Sequence, residues 1–110
     1  MNAPNTIDIA RLQAAAGDAS ALLKALSNPD RLLLLCQLTQ GEMNVSELEV
    51  HTGIRQPTLS QQLTVLRQGQ LVQARRDGKQ IYYSIASAPA LAVLQLLYQL
   101  YCPQNEGEAT

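Results

Sequence analysis

Apolar residues recur along the first quarter of the chain at helical spacing. Ile9, Leu12, Ala16, Ala19, Leu22, Leu23 and Leu26 fall mostly three or four positions apart, which predicts a first helix over residues 7–26. Ser27-Asn28-Pro29 closes that helix and opens the next. Asn28 can cap, and Pro29 suits the first helical position, where an amide hydrogen has no partner to lose. The second helix, residues 29–39, is apolar at Leu32, Leu33, Leu34, Leu35 and Cys36. Apolar nearly all round, it reads as a central core helix. Gly41 stops it. Ser46 and Glu49 have capping-box spacing for a third helix over 46–52, and Gly53 supplies backbone freedom for the turn that follows. A fourth helix starts at Gln56 or Pro57 and ends near Gln68, with Leu59, Leu63 and Leu66 as its inward stripe.

Beyond Gln68 the period changes. Residues 71–76 and 80–85 alternate as strands do, and Asp77-Gly78 between them is a hairpin signal, with Lys79 leaving the loop length open. Ser87 and Pro89 open a last helix that ends near Tyr101, where Pro103 bars continuation. Residues 1–6 and 103–110 read as flexible tails on a single domain spanning 1–110. No internal repeat or low-complexity segment interrupts it. The expected fold is mainly α with a small β-hairpin: four helices, two strands and a fifth helix. Two short helices joined by a tight turn and followed by a two-stranded wing make a winged helix-turn-helix.

Composition sharpens this picture in two ways. Phe and Trp are absent from a chain that is 46% hydrophobic, so the core is built mainly of Leu, Ala, Val and Ile. The net charge of -1 does not advertise a nucleic-acid partner, but its distribution does. Residues 55–79 hold Arg55, Arg67, Arg75, Arg76 and Lys79 against the single acid Asp77, whereas the rest of the chain holds three cations against eight acids. A local basic face on an acidic body fits a local phosphate footprint; a solvated charged surface is the plainer alternative. The N-terminus lacks the basic start and apolar run of a signal peptide, and the leucine run 32–35 is too short to span a bilayer. A soluble, cytoplasmic protein is expected, with no membrane partner. In that compartment a cysteine pair is reduced at rest, and a disulfide is more often a switch than a staple.

The fourth helix carries the candidate chemistry. With its leucines inward, Gln56, Thr58, Ser60, Gln61 and Gln62 fall elsewhere, mostly on the outer face near its N-terminus. Glutamine can pair with adenine edges, and Ser and Thr with several bases. Arg67 is placed to reach the DNA backbone, and Arg75, Arg76 and Lys79 of the wing to lie beside a minor groove or its phosphates. Exposed glutamines are common on any polar helix. The conjunction of cap, glycine turn, polar helix and basic hairpin is what favours double-stranded DNA as the partner.

At these residues the chain resembles the ArsR/SmtB family of small bacterial winged-helix repressors, over residues 21–102. Lys24-Ala25-Leu26-Ser27-Asn28-Pro29-Asp30-Arg31-Leu32 is similar to the family's LxHPxRL signature, with Asn28 in place of the usual His. Gln70 stands where the family usually has Gly, and Gly69 is expected to take the left-handed cap role one residue earlier. The resemblance implies a homodimer paired through the first and last helices. The greasy last helix (Leu91, Leu94, Leu97, Tyr98, Tyr101) independently asks for a partner surface. A two-fold dimer predicts a palindromic operator with half-sites one turn, or a multiple of it, apart.

Many members of that family sense metals through thiolates on the third helix or His and carboxylates on the last. Here neither set is present, and His51 is a lone histidine. No metal and no cofactor are expected. Cys36 and Cys102 remain. With Leu33-Leu34-Leu35-Cys36 and Leu96-Leu97-Tyr98-Gln99-Leu100-Tyr101-Cys102, the pair is similar to the persulfide-responsive, BigR- and SqrR-like branch. That resemblance implies a reduced dithiol that binds the operator, and release when reactive sulfur species bridge the cysteines or oxidants make a disulfide. One cysteine should then have a lowered pKa or transient exposure. The plainer reading makes Cys36 a small core hydrophobe. HlyU-type relatives instead counter a silencing protein, so an anti-silencing activator is an alternative. A general thiol-oxidant sensor and a winged-helix protein-interaction module are others. An enzyme is not expected, because no nucleophile–base pair, phosphate loop or paired-carboxylate motif is visible.

Overall fold

The computed structural model describes residues 8–102, and the expected start at Ile7 and both expected tails lie outside them. The elements are α1 (Ile9–Leu26), α2 (Pro29–Leu38), β1 (Met43–Asn44), α3 (Val45–Thr52), α4 (Thr58–Gln68), β2 (Val72–Asp77), β3 (Gln80–Ile85) and α5 (Ala88–Tyr101). This is the winged helix-turn-helix expected from the sequence, with one strand added. β1 pairs antiparallel with β3, placing Met43 opposite Tyr83 and Asn44 opposite Tyr82, so the wing is a three-stranded sheet in the order β1-β3-β2.

Helix boundaries follow local chemistry. The Asp8 carboxylate accepts from the Ala10 and Arg11 amides at the start of α1. Asn28 accepts from the Arg31 amide at 3.0 Å, with Pro29 at the first position of α2. For α3 the expected Ser46–Glu49 box is displaced by Asn44 and Glu47. The Asn44 side chain accepts from the Glu47 amide at 2.8 Å, and the Glu47 carboxylate accepts from the Asn44 amide at 2.9 Å. Pairing with Tyr82 already holds Asn44 in the extended conformation that a cap requires.

The end of α4 also differs from expectation. Gly69 stays at φ −81, and Gln70 takes the left-handed conformation at φ 62. The Gln70 amide donates to the Arg67 carbonyl and the Leu71 amide to the Leu66 carbonyl. This is a Schellman closure, which puts the left-handed residue at the position just past the cap. Gln70 is exposed, so replacing it costs no packing. Gln70→Gly is therefore expected to stabilise the fold by about 0.5–1 kcal/mol, the left-handed penalty less the extra chain entropy of glycine. A higher midpoint in a urea melt at unchanged slope would show it; a lower one would contradict the cap geometry.

The hairpin loop is Gly78-Lys79, closed by the Asp77–Gln80 pair, with Gly78 at φ 65. The open question of loop length thus resolves to two residues, with glycine first, where the chain turns left-handed. Leu34, Leu35, Leu48, Leu59, Leu63, Leu66 and Leu94 are fully buried, joining α2, α3, α4 and α5 in one leucine core. α2 is not buried all round, however: Leu33 is 42% exposed and looks out over a groove towards α5.

Candidate nucleic-acid interface and cysteine groove

Burial of Leu59, Leu63 and Leu66 fixes which side of α4 faces outward. Ser60 and Gln61 stand exposed, and Thr58 is half-buried. Two of the expected base-reading side chains are partly committed elsewhere. Pro57 offers the first turn no side-chain cap, and the Gln56 side-chain oxygen Oε1 takes that task by accepting from the Ser60 amide at 3.0 Å. Gln62 is half-buried, and its side-chain oxygen Oε1 accepts from Arg31 Nη1 at 3.2 Å. Arg31 also donates through Nε to the Ala25 carbonyl at 2.9 Å and through Nη2 to the Lys24 carbonyl at 3.3 Å. One guanidinium on α2 thus ties the end of α1 to the outward-facing helix α4. Its fixed fork of donors suits it to that junction.

On the wing, Arg76 and Lys79 are exposed, and Arg67 lies exposed at the far end of α4. Arg67, Ala74, Arg75, Arg76 and Ile81 line a pocket of about 260 Å³ between that helix end and the sheet. Arg75 differs from its neighbours. It makes a bidentate pair with Glu42, Nε to Oε2 at 2.7 Å and Nη2 to Oε1 at 2.8 Å, and its guanidinium lies 4.8 Å from the Tyr82 ring centroid. The hydrogen bond from Arg75 holds the Glu42 carboxyl below its ordinary value.

The two cysteines, 66 positions apart in the chain, line the same groove. About 630 Å³ in volume, it runs between α2 and α5 and is bounded by Leu33, Gln37, Leu97, Tyr98 and Tyr101 as well. Cys36 is half-buried and Cys102 exposed, and both are free thiols. Burial, and after it the neighbouring Cys102, raises the Cys36 thiol above its ordinary value. Cys36 is therefore not a cysteine with a lowered thiol pKa, because half-burial between two leucine-rich helices disfavours its thiolate. Exposure, the other condition for reactivity, is met at Cys102. His51 is exposed at the end of α3, and no three His, Cys, Asp or Glu gather among the described residues.

Residues 28–74, from the cap of α2 into β2, match the family model described as bacterial regulatory protein, arsR family. The chain is 45% identical over 101 residues to the biofilm growth-associated repressor of Agrobacterium fabrum, covering 92% of this chain and 86% of that one. It belongs to the arsR family.

Within that family it falls in the BigR-like branch. The crystal structure of the transcriptional repressor BigR from Xylella fastidiosa superposes with a TM-score of 0.81 at 45% identity, covering 89% of this chain and all of that one. The transcriptional activator HlyU of Vibrio cholerae is 39% identical over 88 residues, covering 80% of this chain and 82% of its own. This arsR-family chain is accordingly a transcriptional regulator and not an enzyme. Among the described residues, no helix is long and apolar enough to cross a membrane.

α4 carries Thr58, Ser60, Gln61 and Arg67, and the wing carries Arg75, Arg76 and Lys79. Gln56, just before α4, and Gln62, within it, have their side-chain Oε1 atoms already bonded. Two residues escaped the sequence reading. Arg31 was legible only as part of a signature, and Glu42 only as one acid among many. No spacing rule reveals partners 31 and 33 positions away in the chain.

Proposed function

We propose that this protein is a homodimeric repressor that binds palindromic operator DNA and is released by reactive sulfur species through Cys36 and Cys102. The observation that carries the proposal is the shared groove. It sets one thiol on α2 and the other at the end of α5, so a covalent bridge would pull two helices together. α2 is also the helix whose Arg31 holds Gln62 of α4. A change in its position has a short route to the DNA-facing helix.

The dimer reading is supported by unpartnered apolar surface. Of the eighteen residues of α1 only Leu26 is buried, while Ile9, Leu12 and Leu23 are exposed. α5 exposes Leu96, Tyr98, Leu100 and Tyr101 in the same way. Apolar faces of this size on two terminal helices fit a two-fold interface. Two copies of α4 would then read half-sites related by the same axis.

The sulfur chemistry needs no cofactor. Each cysteine thiolate attacks the outer sulfur of a persulfide donor, becomes a cysteine persulfide and expels the donor's thiolate. One cysteine persulfide then attacks the inner sulfur of the other, expels hydrosulfide and leaves a bridge with one extra sulfur. A plain oxidant instead takes two electrons and two protons from the pair and leaves a disulfide. Exposed Cys102 is the thiol that a donor reaches first, whereas burial disfavours the Cys36 thiolate.

The test is binding to the DNA upstream of its own gene, followed by fluorescence anisotropy across a salt series. A repressor of this kind binds tightly when reduced, weakens steeply with salt and lets go on addition of a persulfide donor. A salt-independent or undetectable interaction would favour a protein-interaction module. Release by peroxide but not by persulfide would favour a general oxidant sensor. A reporter fused to the same DNA separates repression from the activation that the HlyU relationship allows.

A further inference from the structure

The wing carries three cations near its tip, Arg75, Arg76 and Lys79, and a reading from charge alone counts all three towards DNA. The geometry separates one of them. Glu42 lies just before β1, and β3 lies between β1 and β2. The Glu42–Arg75 pair therefore reaches over the middle strand, and the guanidinium lies over the ring of Tyr82, which is its direct partner in the β2–β3 register. Asp77 adds a second carboxylate, one oxygen of which lies 3.8 Å from Nη1. A planar guanidinium with Nε and Nη2 on one carboxylate and its face on an aromatic ring is held in place by matched geometry. Arg76 alternates to the other face of the hairpin, and neither it nor Lys79 has such a partner among the described residues.

We propose that Glu42 withholds Arg75 from the DNA phosphates, so that Glu42 is a negative determinant of DNA affinity and the wing presents Arg76 and Lys79 alone. This rests on the DNA-binding reading given above. A bidentate arginine–carboxylate pair is electrically neutral towards a phosphate several ångströms away, and releasing the arginine exposes the carboxylate to the same phosphate. The pair accordingly adds nothing to counterion release. Its mechanical effect is to fasten β1, β3 and β2 together across their face, which sets the angle at which the hairpin tip leaves the body.

The readout is the slope of log affinity against log salt, which changes by about 0.9 for each phosphate neutralised. The full-length protein is titrated onto one defined duplex as wild type, Glu42→Gln, the double variant Glu42→Gln, Arg75→Ala, and Arg76→Ala. All three altered sites are exposed, and circular dichroism checks that each variant folds. Glu42→Gln frees Arg75 and should steepen the slope by about 0.9 per protomer, roughly 1.8 for a dimer. The double variant removes a neutral pair and should return to the wild-type slope. Arg76→Ala should be shallower than wild type by the same roughly 1.8. A double variant shallower than wild type would mean that Arg75 already meets a phosphate, and a Glu42→Gln slope equal to wild type would mean that no masking occurs; either overturns the inference. If Arg76→Ala also leaves the slope unchanged, the wing itself is not at the DNA, and the failure belongs to the underlying reading.

Discussion

Cys36→Ser is expected to bind operator DNA as tightly as the reduced wild type and to lose its release by persulfide. Serine is close to cysteine in size, and the site is only half-buried beside a groove, so the fold should keep its stability to within about 1 kcal/mol. The effect lies in the response. An allosteric coupling of about 1–3 kcal/mol corresponds to a roughly 5- to 150-fold fall in affinity on bridging, and the variant should forfeit all of it. Cys102→Ser should do the same by the other half of the bridge. Because burial raises the Cys36 thiol, its thiolate is scarce near neutrality and grows as pH rises. Release of the wild type should therefore quicken with increasing pH, until donor chemistry limits it. Anisotropy before and after the donor, with mass spectrometry of the joined peptides, measures both parts. A Cys36→Ser protein that lets go of DNA as the wild type does would remove the dithiol from the mechanism, while leaving the winged fold and its family untouched.

The elements that could be read from the sequence were those whose signals are local. Leu59, Leu63 and Leu66 announced α4 by their spacing, Asn28-Pro29 marked the start of α2, and Asp77-Gly78 marked the hairpin. What escaped was decided at long range or between close rivals. β1 has two residues, too few for any alternation, and is a strand only because Tyr82 and Tyr83 pair with it. That pairing in turn selected Asn44 over Ser46 as the cap of α3. Gly69 and Gln70 were rivals for the left-handed position, and the hydrogen bonds closing α4 put the glutamine there. The same division holds at the site. Residue type made Ser60, Gln61, Arg76 and Lys79 candidates, and all four are exposed, but it could not reveal that Gln56 closes the helix end, that Gln62 answers to Arg31, or that Arg75 is occupied by Glu42. The cysteines could be named from a resemblance; their common groove is a property of the tertiary fold.

Leu63→Ala should be among the most damaging single changes on α4. Leu63 is 1% exposed, between Leu59 and Leu66 at 0%. Truncation removes buried methyl groups and leaves a void that neighbouring leucines fill only partly, at a cost of about 2–5 kcal/mol. Against a net stability of about 5–15 kcal/mol for a domain of this kind, that is a large share, and urea melts should show a clearly lower midpoint. Val50→Ala, at a position 80% exposed on α3, should change stability by no more than about 0.5 kcal/mol. The DNA result discriminates further. Leu63→Ala alters no charge, so under conditions where it remains folded the salt slope should match wild type. What should suffer is the preference for operator over unrelated DNA, because Ser60 and Gln61 are aimed by the same backbone that Leu63 anchors. Gln62 flanks that leucine, so its bond to Arg31 should loosen as well. A variant with a wild-type melting midpoint would mean that α4 is not seated on the leucine core. A variant that melts early yet keeps full operator preference would mean that base reading does not depend on how that helix is held.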